Sequence, residues 1–153
     1  MPRFETRKYI QHCSEHMFAL VADIERYPEF LPMCDALTIR SRREQDGKTF
    51  LVADMTVGYK LIRETFTTKV YLQPDANRID VQYVDGPFRH LENRWRFLPV
   101  ADENACQIEF YIDYAFKNPM LGMVMGSMFD IAFRKFTDAF EQRADQIYGK
   151  ASR

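Results

Sequence analysis

The chain has 153 residues, 46% of them hydrophobic and 28% charged, and its 21 Lys and Arg nearly balance 22 Asp and Glu for a net charge of −1. That length suits one domain, and near-neutrality argues against a dedicated nucleic-acid binder, whose domain is usually strongly basic. Thirteen Phe, eight Tyr and one Trp are more aromatic residues than core filling alone demands.

In chain order, residues 3–11 read as a first strand, and Ser14 is the expected N-cap of a helix with Met17, Leu20, Val21 and Ile24 at helical spacing. Tyr27-Pro-Glu-Phe-Leu-Pro32 breaks that helix and leaves room for only a turn or a very short helix. From Ala36 to Phe116 the period becomes two, and turn signals such as Asp46-Gly47 and Asp85-Gly-Pro87 separate six strands, 36–44, 48–58, 62–72, 78–84, 89–98 and 105–116. Short loops between all six imply an antiparallel meander. Asn118-Pro119 then opens a long helix, a cap residue followed by proline at the first helical position. Its stripe of Phe129, Phe133, Phe136, Phe140, Ala144 and Ile147 is expected to cover one face of the sheet. The fold class is α+β, with a curved antiparallel sheet wrapped around a long C-terminal helix.

Cys13, Cys34 and Cys106 are odd in number and form no CxxC, so a reducing compartment fits and no zinc site is indicated. No secretory h-region opens the chain, and the longest uncharged stretch, Asn118–Phe129, is short of the ~20 residues of a membrane span. The expected location is the cytoplasm, with peripheral contact at the inner face of a membrane as an extension of it.

Nucleotide-binding, nucleophile-elbow and zincin motifs are missing from the sequence. His12, Cys13 and His16 straddle a strand–helix boundary and read as solvated polar residues rather than metal ligands, and His90 has no carboxylate or nucleophile partner by spacing. No catalytic residue, metal or cofactor is expected. Strand periodicity points Asn93 inward between Leu91 and Trp95, and Glu64 inward beside Phe66. Such groups are either hydrated near strand ends, or they orient a ligand in a mostly apolar cavity. Pro119–Phe129 holds four of the chain's eight methionines, a composition that suits packing or the mouth of an adaptable pocket. The basic run Arg40–Arg43 and the outward Arg94 and Arg96 suit either a solvated face or a patch for phosphate-rich surfaces.

Asp23-Ile-Glu-Arg-Tyr-Pro-Glu-Phe-Leu-Pro32, Asp85-Gly-Pro-Phe-Arg-His-Leu91 with Trp95-Arg-Phe97, and Ala139-Phe-Glu-Gln-Arg-Ala144 together resemble the coenzyme Q-binding protein family. That family belongs to the START-like, polyketide-cyclase-like superfamily and includes ribosome-association toxins. The resemblance covers about residues 3–149. It implies the helix-grip fold, a short helical lid carrying Tyr27, Phe30 and Leu31, an opposing hairpin at Gly86–Phe88, and a tunnel wall holding Leu91 and Trp95. The implied function is non-enzymatic: binding a ubiquinone-like isoprenoid lipid and supporting its delivery or use in respiratory electron transport. The expected cavity lining adds Phe66, Phe97, Phe110, Met125 and Phe129, with Asn93 and Glu64 as orienting groups. The Met-rich helix start and the lid are the parts expected to touch a bilayer. The alternative is a toxin that binds the large ribosomal subunit and blocks subunit joining, and a polyketide cyclase or aromatase ranks third.

Overall fold

Seven runs of alternating residues pair into one antiparallel sheet in the order β1-β7-β6-β5-β4-β3-β2. They are β1 (Arg3–Ile10), β2 (Cys34–Gln45), β3 (Lys48–Tyr59), β4 (Ile62–Gln73), β5 (Arg78–Asp85), β6 (Phe88–Pro99) and β7 (Cys106–Phe116). The computed structural model describes residues 3–59 and 61–149. The six-stranded meander forms as expected, and β1 closes the sheet by pairing with β7 from Arg3↔Asp113 to Ile10↔Cys106.

Local chemistry sets the turns. Asp46 (φ 54°) and Gly47 (φ 76°) both take positive φ, which the tight turn between two right-twisted strands requires. Asn77, at φ 52°, ends the short 3-10 turn Pro74–Ala76 between β4 and β5. Register shifts in β2 at Cys34/Ala36 and Ile39/Ser41, and between β6 and β7 at Phe88/His90, bend and twist the strands where they occur. The sheet therefore curves around its inner face.

Helix α1 (Ser14–Ala22) runs into the 3-10 helix Ile24–Glu29, which contains Pro28. Ser14 is the first helical residue and not the cap; Cys13 takes that place, and its side chain makes no capping bond. The long helix α2 (Pro119–Tyr148) begins as its sequence dictates: the Asn118 side chain accepts a hydrogen bond from the Met120 amide at 2.8 Å, and Pro119 follows it. The apolar stripe is buried at Phe129, Phe133, Phe140 and Ala144, but Phe136 is half-buried and Ile147 is exposed. Another correction concerns His12, which is buried and lies 2.7 Å from Asp145, tying the end of β1 to the last turns of α2. His16 stacks on Tyr148 at 4.1 Å.

α2 rests on one half of the sheet. Phe133 meets Phe4 on β1 and Tyr114 on β7, Phe129 meets Phe88 on β6, and Phe140 crosses Trp95 on β6 at 5.1 Å. Each buried Phe contributes about 1.5–3 kcal/mol through lost apolar exposure, and edge-to-face pairs add about 0.5–1.5 kcal/mol. Lys8 on β1 adds ion pairs to Asp138 and to Glu141 on α2, the latter at 2.9 Å.

Two glycines separate backbone necessity from tolerance. At Gly86 (φ 144°) an added Cβ would fall 2.5 Å from the Phe66 Cβ, whereas nothing lies within 4 Å of one added at Gly126. Gly86→Ala is expected to lower stability by about 1–3 kcal/mol in urea denaturation. Gly126→Ala should instead be neutral or stabilise α2 by up to about 1 kcal/mol.

Candidate functional site

Because α2 lies over β1, β7 and β6, the inner faces of β2–β5 are covered by other means. The segment after α1 folds across them as a lid, so that Ile24, Tyr27, Leu31, Pro32 and Met33 face the sheet. Between lid, sheet and helix lies a cavity of about 120 Å³. Ala53, Met55 and Val57 of β3 and Phe66, Thr68 and Val70 of β4 form its far wall. Leu91, Asn93 and Trp95 of β6 form the near wall, and Phe129, Ala132 and Phe136 of α2 close it. An apolar cavity of ~150 Å³ takes a benzene-sized guest, so the space suits one ring.

The lining is almost wholly carbon. Among its residues none carries a carboxylate, an imidazole or an aliphatic or guanidinium cation. Thr68 is buried and puts a hydroxyl-bearing side chain on the wall. Asn93 donates through Nδ2 to the Tyr111 carbonyl at 2.8 Å, which fixes its amide in the wall. The Tyr27 hydroxyl donates to the Val21 carbonyl, and burial pushes the phenol far above its usual range. Tyr27 is thereby a neutral structural post joining lid to α1.

The lid is fastened from α2. Arg143 Nη2 lies 2.5 Å from Glu29 Oε1, and the guanidinium sits 5.1 Å over the Phe30 ring. Arg26 holds the other oxygen of Glu29 at 3.0 Å. Together these two arginines, Arg26 first, hold the Glu29 carboxyl below its usual range. The Arg143 Nε is buried with no hydrogen-bond partner among the described residues.

Of the residues expected at a binding site, Tyr27, Leu31, Phe66 and Leu91 lie on the cavity wall, as do Asn93, Trp95, Phe110 and Phe129. Four lie elsewhere. Phe97 is fully buried beneath α1, edge-on to Phe18 at 5.6 Å. Met125 is fully buried in the core, one turn of α2 before the cavity. Phe30 turns toward Phe140 and Arg143 instead of the cavity. Glu64 shares the inner parity of Phe66 but sits half-buried near the start of β4, off the wall. Thr68, Ala132 and Arg143 were not singled out from sequence. Thr68 and Ala132 were legible from the periods that place Phe66 and Phe129, whereas Arg143 lies in the Ala139–Ala144 motif with nothing local to mark its contact with the lid.

His90 does have a carboxylate partner: Asp113 lies 3.0 Å away across β6 and β7, and Tyr111 donates to the same carboxylate at 3.2 Å. The hydrogen bond from His90 holds the Asp113 carboxyl below its usual range. This cluster faces outward, away from the cavity. Burial pushes the Cys34 and Cys106 thiols up to about 11, so neither is a nucleophile at neutral pH. Among the described residues no group of three potential metal ligands converges, and no helix is long and apolar enough to cross a membrane.

A family model described as polyketide cyclase / dehydrase and lipid transport matches residues 10–141. The ribosome association toxin RatA of Vibrio cholerae is 36% identical over 141 residues, covering 92% of this chain and 94% of that protein. The mitochondrial coenzyme Q-binding protein COQ10 homolog B of Xenopus laevis is 27% identical over 150 residues, 96% of this chain and 59% of that one. An 18 kDa protein of Caulobacter crescentus, solved in solution, superposes with a TM-score of 0.81 at 34% identity, covering 98% of this chain and all of the other.

The lid latch predicts a local effect. Arg143→Met should leave the sheet's amide exchange unchanged and speed exchange at Phe30 and Leu31 about fivefold, as loss of about 1 kcal/mol implies. Their amides are held by the Tyr27 carbonyl, and site-resolved hydrogen exchange reads them directly.

Proposed function

The chain belongs to the polyketide cyclase / dehydrase and lipid transport family, and from that premise we propose that it binds a ring-headed isoprenoid lipid of the ubiquinone kind without transforming it. The supporting observation is the lining: a carbon-walled, ring-sized space in which the Thr68 hydroxyl and the Oδ1 of Asn93 are among the few polar atoms on offer. Thr68 would donate to a quinone carbonyl, and Asn93 Oδ1 would accept from a quinol hydroxyl. Each square ångström of ring and tail removed from water contributes about 25 cal/mol.

At about 120 Å³ the cavity takes the head and not a long tail. The tail would leave along the first turns of α2, where Met120, Met123 and Val124 are exposed. Those side chains and the fully exposed Leu61 on the β3–β4 turn would enter the surface of a bilayer during exchange, in support of respiratory electron transport. The protein would work in the cytoplasm and visit the inner face of the membrane.

A second reading is association with the large ribosomal subunit, blocking subunit joining. It is favoured by relatives above 30% identity that carry the name ribosome association toxin and by arginines on the outer face of the sheet. Co-sedimentation with the large subunit that weakens steeply with salt would support it. A cyclase or aromatase reading has less behind it, since Glu64, the carboxylate nearest by strand parity, lies off the cavity wall.

Trp95, the chain's only tryptophan, lines the cavity and reports on it. A short-tailed ubiquinone is expected to quench Trp95 fluorescence saturably. Ala132→Phe, which fills the cavity at an overpacking cost of about 1–3 kcal/mol, should abolish saturable quenching while the circular dichroism spectrum stays intact. Thr68→Val should weaken binding roughly tenfold. Unchanged affinity in a folded Ala132→Phe variant would overturn the reading.

A further inference from the structure

The sheet's outer face carries a feature that the cavity does not use. The side chains pointing away from α2 line two depressions, one of about 1060 Å³ over β2–β6 and one of about 460 Å³ over β5, β6, β7 and β1. Arg78 and Arg94 belong to both, so the two form one trough from Arg43 on β2 to Arg7 on β1. Six strand-to-strand steps of ~4.8 Å give it a length of about 29 Å.

Its chemistry is aromatic and basic in alternation. Arg43 lies 5.1 Å over the Phe50 ring, Lys48 5.9 Å over Tyr71, and Arg94 4.2 Å over Tyr111. Phe50 and Tyr71 meet edge to face at 4.5 Å and are half-buried, so part of each ring stays open to solvent. Arg43, Lys48, Lys69 and Arg94 have no carboxylate partner among the described residues. Most of the acids along the trough are already neutralised. Asp80 is held by Arg78 at 3.0 Å, Glu109 by Arg7 at 3.0 Å and by Arg96 at 3.2 Å, and Glu5 by Arg3 at 3.5 Å. Glu92 is the carboxylate in the lining without an ion pair among the described residues.

Cations without a carboxylate partner beside half-exposed rings along an extended trough suit a single strand of nucleic acid: phosphates meet the cations while bases stack on the rings. A double helix would leave the rings idle, because its bases are already stacked. A purely anionic partner would use the cations and ignore the rings. We infer that the outer sheet face is a binding trough for single-stranded RNA, with Arg94, Lys69 and Arg43 on phosphates and Tyr71 and Tyr111 as stacking platforms. The site is separate from the cavity and stands whether or not the cavity binds lipid. It rests on the second reading only in that a ribosome would supply such RNA.

The test is fluorescence anisotropy of the full-length protein with a fluorescein-labelled 12-nucleotide single-stranded RNA across a salt series. Three phosphate contacts predict a slope of log K against log[salt] of about −2. Arg94→Ala is expected to weaken binding and flatten that slope by about 0.7. Tyr71→Ala should weaken binding about tenfold and leave the slope unchanged, a split that general charge attraction does not produce. Failure of the wild-type protein to bind the RNA, equal binding of a duplex, or equal binding by both variants would overturn the inference. So would binding of anionic vesicles or polyglutamate in place of RNA. Ribosome co-sedimentation, run in parallel, separates the two ideas. Sedimentation of the wild-type protein with the large subunit but without binding of the RNA removes the trough and keeps the ribosome reading. RNA binding without sedimentation does the reverse.

Discussion

One helix cannot cover seven strands. An α-helix with its side chains is ~10–12 Å across, whereas seven strands spaced by ~4.8 Å span about 29 Å. α2 commits its phenylalanines to β1, β7 and β6 through Phe4, Tyr114 and Trp95, which leaves the inner faces of β2–β5 without a helical cover. Much of the remaining architecture follows from that deficit. The sheet curls, with register shifts in β2 and between β6 and β7 to help it, and the segment after α1 folds down as a lid. The space that neither helix nor lid fills is the cavity.

The lid shows the compromise between closure and access. Tyr27 and Leu31 make an apolar underside, and the lid meets α2 through Tyr27 and Phe30, both edge-on to Phe140 at 5.4 and 5.2 Å, and through the ion pair and ring contact around Arg143. The partly exposed pair contributes little, and the lid packs its rings on Phe140 alone whereas α2 packs Phe129, Phe133 and Phe140 across three strands, so the lid is the weaker of the two covers. A binding protein needs that order of strengths, because the ligand must enter without unfolding the scaffold. The same sheet turns its two faces to different chemistry. Inner parity carries Phe66, Thr68 and Val70, while outer parity on the same strand carries Lys69 and Tyr71.

Period and turn chemistry made most of the scaffold legible. β7 alternates without interruption, Asp46-Gly47 marks a tight hairpin, and Asn118-Pro119 is a helix start at the level of the bond it makes. Strand parity also brought Phe66, Leu91, Trp95 and Phe110 to the cavity lining. Parity gives the face of a residue but not its height along the strand or what lies above it. Glu64 and Phe97 were placed on the correct face and yet lie off the cavity, one near the strand's start and the other beneath α1. Met125 is likewise one helical turn from the site. Pairings across long separations left no local trace: His12 with Asp145, His90 with Asp113 and Arg143 with Glu29 are 133, 23 and 114 residues apart. Such partners are set by strand order and helix placement, which no short window of sequence contains.

The account's central claim is that the deficit between helix and sheet is kept open as a lipid site instead of being lost to packing. Native mass spectrometry of the protein purified without detergent from its own lipid-replete host tests this most directly, followed by solvent extraction of whatever it carries. The account predicts a one-to-one adduct whose extract is a ring-headed isoprenoid lipid. A bare protein mass that stays bare after incubation with a short-tailed ubiquinone would contradict it.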